Sequence, residues 1–275
     1  MRTKICRGVL DMGIFLRELK TNSKPLILWS VGMILLVLSG MAKYSAFSST
    51  ALTGSLIKDI PASIRALFGF GSFDVTKMSG YFAFLFLYIE ITTAFHGATL
   101  GAGIIAKEER RRTAEFLVTK PISRNGILTA KLCAALIDIA VLNLVTLASS
   151  LVIVPLYNKD APITAEIFRL MGSMFFIQLL FLAIGAVFAT VRKNNGRAGA
   201  VASWFVVFAY VIYAATNLND GIRFLNILSP FKYFDTANIA SGKGLDPLAM
   251  AFSLFLVMIC SCIAYYAYGR RDIHS

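Results

Sequence analysis

Leu248 to Tyr268 reads L-A-M-A-F-S-L-F-L-V-M-I-C-S-C-I-A-Y-Y-A-Y and carries no charged residue. As an α-helix rising about 1.5 Å per residue it is about 30 Å long, the thickness of a bilayer's hydrocarbon layer. Five other apolar runs lie upstream, at about 26–41, 81–106, 129–156, 168–191 and 198–216. Hydrocarbon offers no water to backbone N–H and C=O groups, so such runs cross it as helices. The chain of 275 residues therefore reads as an all-α integral membrane protein with six transmembrane helices, its membrane domain spanning 26–268.

Composition agrees. The chain is 57% hydrophobic and only 15% charged, where soluble domains are nearer about a quarter charged. The formal net charge of +12 would point to nucleic acid in a soluble protein. Here the basic residues stand between apolar runs, where they fix orientation and meet anionic lipid instead. Membrane lipid is the expected partner, and nucleic acid is not.

Orientation follows from Lys and Arg counted connection by connection. The N-terminal tail, the 107–131 segment, the 192–197 turn and the C-terminal tail together hold eighteen, against nine in the alternate connections. Both termini are thus expected in the cytoplasm. Residues 1–25 carry an amphipathic stretch, Gly8 to Lys20, that reads as a helix lying in the cytoplasmic interface. Residues 269–275 read as a cytoplasmic tail. The outer connection 42–80 holds a short amphipathic helix bracketed by Pro61 and Gly69. The connection 217–247, with Ile222, Leu225 and Leu228 before Pro230, holds another short interfacial piece.

Few residues offer chemistry. His96 and His274 are the only histidines, too few for a paired-histidine zinc site. A phosphate-binding G-x-x-x-x-G-K-[ST] loop is absent, since Gly242-Lys243 is followed by Gly244. Glu90 and Asp138 fall inside the second and third runs, where a charge costs roughly 2.5–3.5 kcal/mol to insert. Two readings fit them: lining a translocation path or proton relay with His96, or pinning helices together by hydrogen bonds. Counted from the cytoplasmic helix ends, Asp138 and His96 lie roughly 10 and 15 Å deep, close enough to pair. Thr93, Gly97 and Gly101 recur every four residues and form a small-residue face for helix packing, within one subunit or across a dimer.

The connection after the second run is the most informative. It reads Glu108-Glu109-Arg110-Arg111-Arg112-Thr113-Ala114-Glu115-Phe116-Leu117-Val118-Thr119-Lys120-Pro121-Ile122-Ser123-Arg124. Thr113 can cap a short helix, Glu115 suits its first turn and Pro121 ends it. Phe116 and Leu117 are then apolar anchors on a charged helix away from the membrane core, which calls for a partner groove or for the bilayer surface.

This stretch resembles the cytoplasmic loop of the permease subunits of type-two ATP-binding cassette (ABC) exporters, which commonly reads E-E-x-x-G-T-x-E-x-L-L-x-x-P-x-S-R. Glu108, Glu109, Thr113, Glu115, Leu117, Pro121, Ser123 and Arg124 match in order; Arg112 replaces the usual glycine and Val118 the usual leucine. The resemblance extends to the N-terminal interfacial stretch, to I-P-A-S-I-R-A-L-F-G at 60–69 and to L-S-P-F-K-Y-F-D at 228–235. It implies that the 107–131 loop forms a coupling helix docking on a separate ABC ATPase subunit. Two permeases, as homodimer or heterodimer, would work with two ATPases in the cell membrane of a bacterium or archaeon. ATP and Mg would bind the ATPase, leaving this chain without cofactor, metal or catalytic residues. The competing reading is an ion-gradient-driven secondary transporter using Glu90, His96 and Asp138.

The orientation has a direct test. In a background lacking the native cysteines, single cysteines at Ser55 and Thr119 are expected to react with an impermeant thiol reagent from opposite sides of the membrane. Labelling of both from outside would overturn the topology.

Overall fold

The computed structural model describes residues 2–45, 61, 64, 73–110, 123–158, 161–191 and 197–270. Six long helices make up most of it: α1 (Arg2–Met41), α2 (Met78–Arg110), α3 (Arg124–Tyr157), α4 (Thr164–Val191), α5 (Ala198–Leu218) and α6 (Pro247–Gly269). Each contains a stretch long and apolar enough to cross a bilayer. Helices α2 to α6 begin and end within a turn or two of the apolar runs, and no strand occurs among the described residues. The amphipathic stretch expected at 60–69 lies almost wholly outside the described residues.

The N-terminal region differs from the expectation of an interfacial helix followed by a separate span. Arg2–Met41 is one continuous helix with Pro25 inside it. Proline lacks the N–H that would bond the Thr21 carbonyl and crowds that turn, so a break is the local preference. Tertiary partners override it. Glu18 and Asn22, just ahead of Pro25, are buried and bonded into α3, as described below.

The centre of the bundle is the pair α2 and α4, while α1 packs chiefly along α3, α5 along α2 and α6 along α4. Small residues set the α2–α4 distance. A Cβ added at Gly97 would stand 2.5 Å from the carbonyl oxygen of Gln178. One at Gly101 would strike the Leu182 carbonyl, and one at Gly185 the Ala98 carbonyl. With Ala98 and Ala102 fully buried between them, the two backbones touch, as small-residue faces permit. The face of Gly97 and Gly101 is thus occupied within the chain.

Residues 219–246 hold a 3-10 helix, Asp220–Leu228, whose Phe224, Ile227 and Leu228 are exposed. The chain then turns inward rather than staying at the surface. Ser229 Oγ donates to the Ala209 carbonyl at 2.8 Å, and Phe231 and Phe234 are buried against the bundle. Phe231 packs on Phe181 of α4 and Tyr210 of α5, with centroids 5.4 and 5.9 Å away. Gly242 (φ +90°) and Gly244 (φ +77°) then take the left-handed conformations that carry the chain out to α6. On α6 only Ser253 and Ala264 are buried, and Leu254, Phe255, Met258 and Ile263 face outward.

The α2–α4 contact predicts a sharp contrast between glycines. Gly101→Ala is expected to destabilise the detergent-solubilised protein by about 1–3 kcal/mol through overpacking. Gly32→Ala on α1, where a Cβ meets nothing within 4 Å, is expected to be neutral or stabilising. Thermal unfolding of the two variants checks this.

Candidate functional site

At one end of the bundle lie the N-terminal half of α1, the end of α2, the start of α3 and the end of α6. Ser123 caps α3, its Oγ accepting from the Gly126 N–H at 3.2 Å. Arg124 Nη1 donates to the Gly269 carbonyl at 3.2 Å, and the hydroxyls of Thr129 and Tyr265 lie 2.7 Å apart. Both residues expected in the coupling segment therefore also brace α3, Ser123 as its cap and Arg124 by its tie to α6. Glu108 and Glu109 extend the last turn of α2. Thr113, Glu115, Phe116, Leu117 and Pro121 lie outside the described residues.

Just inside this end, Lys131 is fully buried although the sequence count placed it in a connection. Its Nζ donates to the Ile104 carbonyl of α2 at 2.6 Å and stands 3.9 Å from the Glu18 carboxylate of α1. Arg17 reaches the same carboxylate at 3.5 Å from the more exposed side. A charge in a medium that cannot solvate it needs such partners. One lysine thus ties three helices.

Deeper in, Asn22 Nδ2 donates to Asp138 Oδ2 at 2.9 Å, joining α1 to α3. His96 on α2 is held by Gln178 on α4, whose Nε2 lies 2.8 Å from His96 Nδ1. Asn143 on α3 donates to Gln178 Oε1 at 2.6 Å and to the Ile139 carbonyl at 3.0 Å. This chain fixes every proton. A backbone carbonyl can only accept, so the Asn143 group facing Ile139 is its NH2. The Gln178 atom facing that same NH2 is then the oxygen, and its NH2 faces His96. Nδ1 accepts and the ring proton sits on Nε2. Trp29 of α1 meets the ring edge-on, 5.2 Å between centroids.

Asp138 and His96, expected to lie at similar depth, line one cavity of about 350 Å³ together with Asn22, Trp29, Leu26 and Leu100. They are not directly bonded; each has its own partner. Glu90 lies elsewhere, six residues along α2 from His96 towards the opposite end, or about 9 Å. It is fully buried. Its Oε2 accepts from Thr236 Oγ1 at 3.2 Å, so it anchors the inward-turning segment after α5. Next to Thr236, Asp235 accepts from Lys232 Nζ at 3.1 Å, and Lys232 also donates to Asn217 Oδ1 at 2.6 Å. Thr93 is buried and bonds only its own helix, donating to the Ile89 and Glu90 carbonyls at 3.0 Å.

Sequence reading missed Glu18, Asn22, Trp29, Lys131, Asn143, Gln178 and Thr236. Asn143 and Gln178 did leave a trace, as amides within apolar runs. Glu18 and Asn22 left none, because they stand in a stretch whose charges read as a surface helix.

Among the described residues, Glu18, Glu90, His96, Lys131 and Asp138 are thus buried inside the bundle, while many large apolar side chains face outward. With six helices long and apolar enough to cross a bilayer, that arrangement is that of a multi-pass helical membrane protein. The family model described as ABC-2 family transporter protein matches residues 12–273. The chain belongs to that family and is the membrane component of an ABC transporter. Permeases of this family generally pair with an ATPase subunit. No curated protein sequence matches the chain.

The Lys131 junction yields a double-variant test. Lys131→Met leaves the Glu18 carboxylate buried with one partner fewer, and such losses cost about 3–5 kcal/mol. Adding Glu18→Gln is expected to restore a large part of it, read as recovery of the unfolding temperature. Independent, additive losses would show that the pair is not the tie.

Proposed function

We propose that the chain is the permease of an ATP-driven exporter, working as one of two permeases with two ATPase subunits. The termini and the 107–131 segment face the cytoplasm, and hydrolysis belongs to the ATPase. The observation that carries this reading is the family match over residues 12–273 joined to the place where the α2–α3 connection emerges. That connection leaves the bundle where Lys131 of α3 is bonded to Ile104 of α2 and where Arg124 braces the end of α6. A push on it is delivered to a braced junction. The segment itself carries the coupling-loop pattern from Glu108 to Arg124. Membership in an ABC transporter family favours this reading over the ion-gradient carrier.

On this reading Phe116 and Leu117 are the anchors in the ATPase groove. Each such anchor contributes about 2 kcal/mol or more at a well-packed interface. Truncating both to Ala is expected to weaken association by a factor of hundreds, treating the two as additive. Both stand in the charged connection between the second and third apolar runs, so expression and insertion are expected to stay normal. Co-purification of the ATPase with wild-type and Phe116→Ala/Leu117→Ala permease, together with the ATPase activity of each complex, is the measurement. Unchanged recovery and activity would place these residues on the bilayer surface and overturn the assignment.

A further inference from the structure

The outward face of α1 changes character where the helix enters the first apolar run. Lys20 and Lys24 stand one turn apart and are both exposed. Ile27, Val31 and Leu38 continue the same face, 63%, 47% and 41% exposed. The steps of four, three, four and seven residues are those of one side of a helix. The opposite side of the same turns carries Glu18 and Asn22, buried and bonded into α3. Because that inner side is held, the two lysines are held outward.

Two ammonium groups four residues apart on a helix repel each other. Among the described residues neither lysine has a carboxylate partner. They are separated by about 6 Å along the axis, close to the thickness of one headgroup layer, about 5–7 Å. Lys24 stands two residues before the apolar run that begins at Leu26, so the pair lies at headgroup level and the apolar stripe at the level of the chains. The order along the face, cations first and hydrocarbon after, matches a molecule with an anion at one end and a long apolar tail. A soluble acidic protein would cover the lysines and leave the stripe bare. A zwitterionic lipid brings its own ammonium group close to two others, so an anionic lipid fits better.

We propose that this face of α1 is a binding site for an anionic phospholipid, its phosphate held by Lys20 and Lys24 and an acyl chain lying along Ile27, Val31 and Leu38. The lipid comes from the cytoplasmic leaflet, a point that rests on the orientation proposed above. It grips from outside the same two turns that Glu18 and Asn22 grip from inside. Lipid composition thereby acts on the α1–α3 pair.

The test uses the full chain in a neutral detergent. Dioleoyl phosphatidylglycerol and dioleoyl phosphatidylcholine, alike in chains and different in charge, are titrated as mixed micelles while the unfolding temperature is followed. A ligand of the folded state raises it, and a larger, saturable rise is expected with phosphatidylglycerol. Lys20→Gln/Lys24→Gln is expected to weaken that binding about 30-fold, about fivefold for each lysine, and to leave the response to phosphatidylcholine unchanged. Lys20→Arg/Lys24→Arg is expected to keep the preference. Position is read separately with Ile27→Trp, whose added emission is expected to be quenched more by chain-brominated phosphatidylglycerol than by its phosphatidylcholine counterpart. Adding Lys20→Gln/Lys24→Gln is expected to remove that difference, and this arm stays decisive where melting shifts are small. Equal responses to the two lipids, an undiminished preference in the glutamine variant, or the same rise from glycerol phosphate, which has the anion without the chains, would overturn the proposal. So would loss of an oligomer in the glutamine variant without any lipid preference, since a second copy would then cover the face. Micelles have no sides and the ATPase is absent, so failure here is distinct from failure of the orientation or of the docking assignment.

Discussion

The contact of two backbones at Gly97, Gly101 and Gly185 is the constraint on which the interior depends. Gly97 lets α2 approach until its Cβ position is 2.5 Å from the Gln178 carbonyl. The same closeness puts the Gln178 side chain 2.8 Å from His96, the residue before Gly97. From there the bonds run to Asn143 and end on a backbone carbonyl. A small residue on α2 thereby decides which nitrogen of a histidine carries its proton. Packing comes first, and polar chemistry follows from it.

Charge in the interior obeys a second rule, that each group is answered by one on another helix. Lys131 joins α3 to α1 and α2, Asp138 joins α3 to α1, and Glu90 joins α2 to the segment after α5. None of these pairs needs to add stability relative to an apolar core, because desolvation offsets most of the attraction. What they add is register. A helix that slid by one turn would separate Lys131 from Glu18 and Asn22 from Asp138 together, leaving groups in hydrocarbon that no solvent can satisfy. That penalty also explains why α1 runs straight through Pro25, since Glu18 and Asn22 must both reach α3.

The helices were legible in the sequence because hydrocarbon thickness and backbone hydrogen bonding leave a long apolar run few alternatives. Leu248–Tyr268 could hardly be anything else. The small-residue spacing of Gly97 and Gly101 was legible too, as a face, though not whose face met it. Partners were not legible. Asn22 and Asp138 stand 116 residues apart, and Glu90 and Thr236 stand 146 apart. Periodicity reports which side of a helix is apolar and says nothing about the helix opposite. Charge pattern misled at Lys131, where a basic residue near a run's end read as part of a connection, and at α1, where buried Glu18 sat among surface charges. In both cases the deciding partner lay on another helix.

The pairing of helices also says where movement is least resisted. Helix α2 is welded to α4 by backbone contact, and α1 lies chiefly along α3, tied by Asn22–Asp138 and Glu18–Lys131. Between the pairs the packing is less extensive, and it is bridged by Lys131 to the Ile104 carbonyl, Asn143 to Gln178 and Trp29 against His96. The cavity with Asp138 on one wall and His96 on the other occupies that seam. A displacement applied to the α2–α3 connection acts on the ends of one helix from each pair. Helices transmit it with little bending, because bending would open i to i−4 bonds that hydrocarbon cannot replace. The change would therefore collect at the seam, altering the distance between Asp138 and His96 more than any distance within a pair. A transporter needs an element with two arrangements that energy input can bias, and in this bundle the seam is where packing leaves room for one.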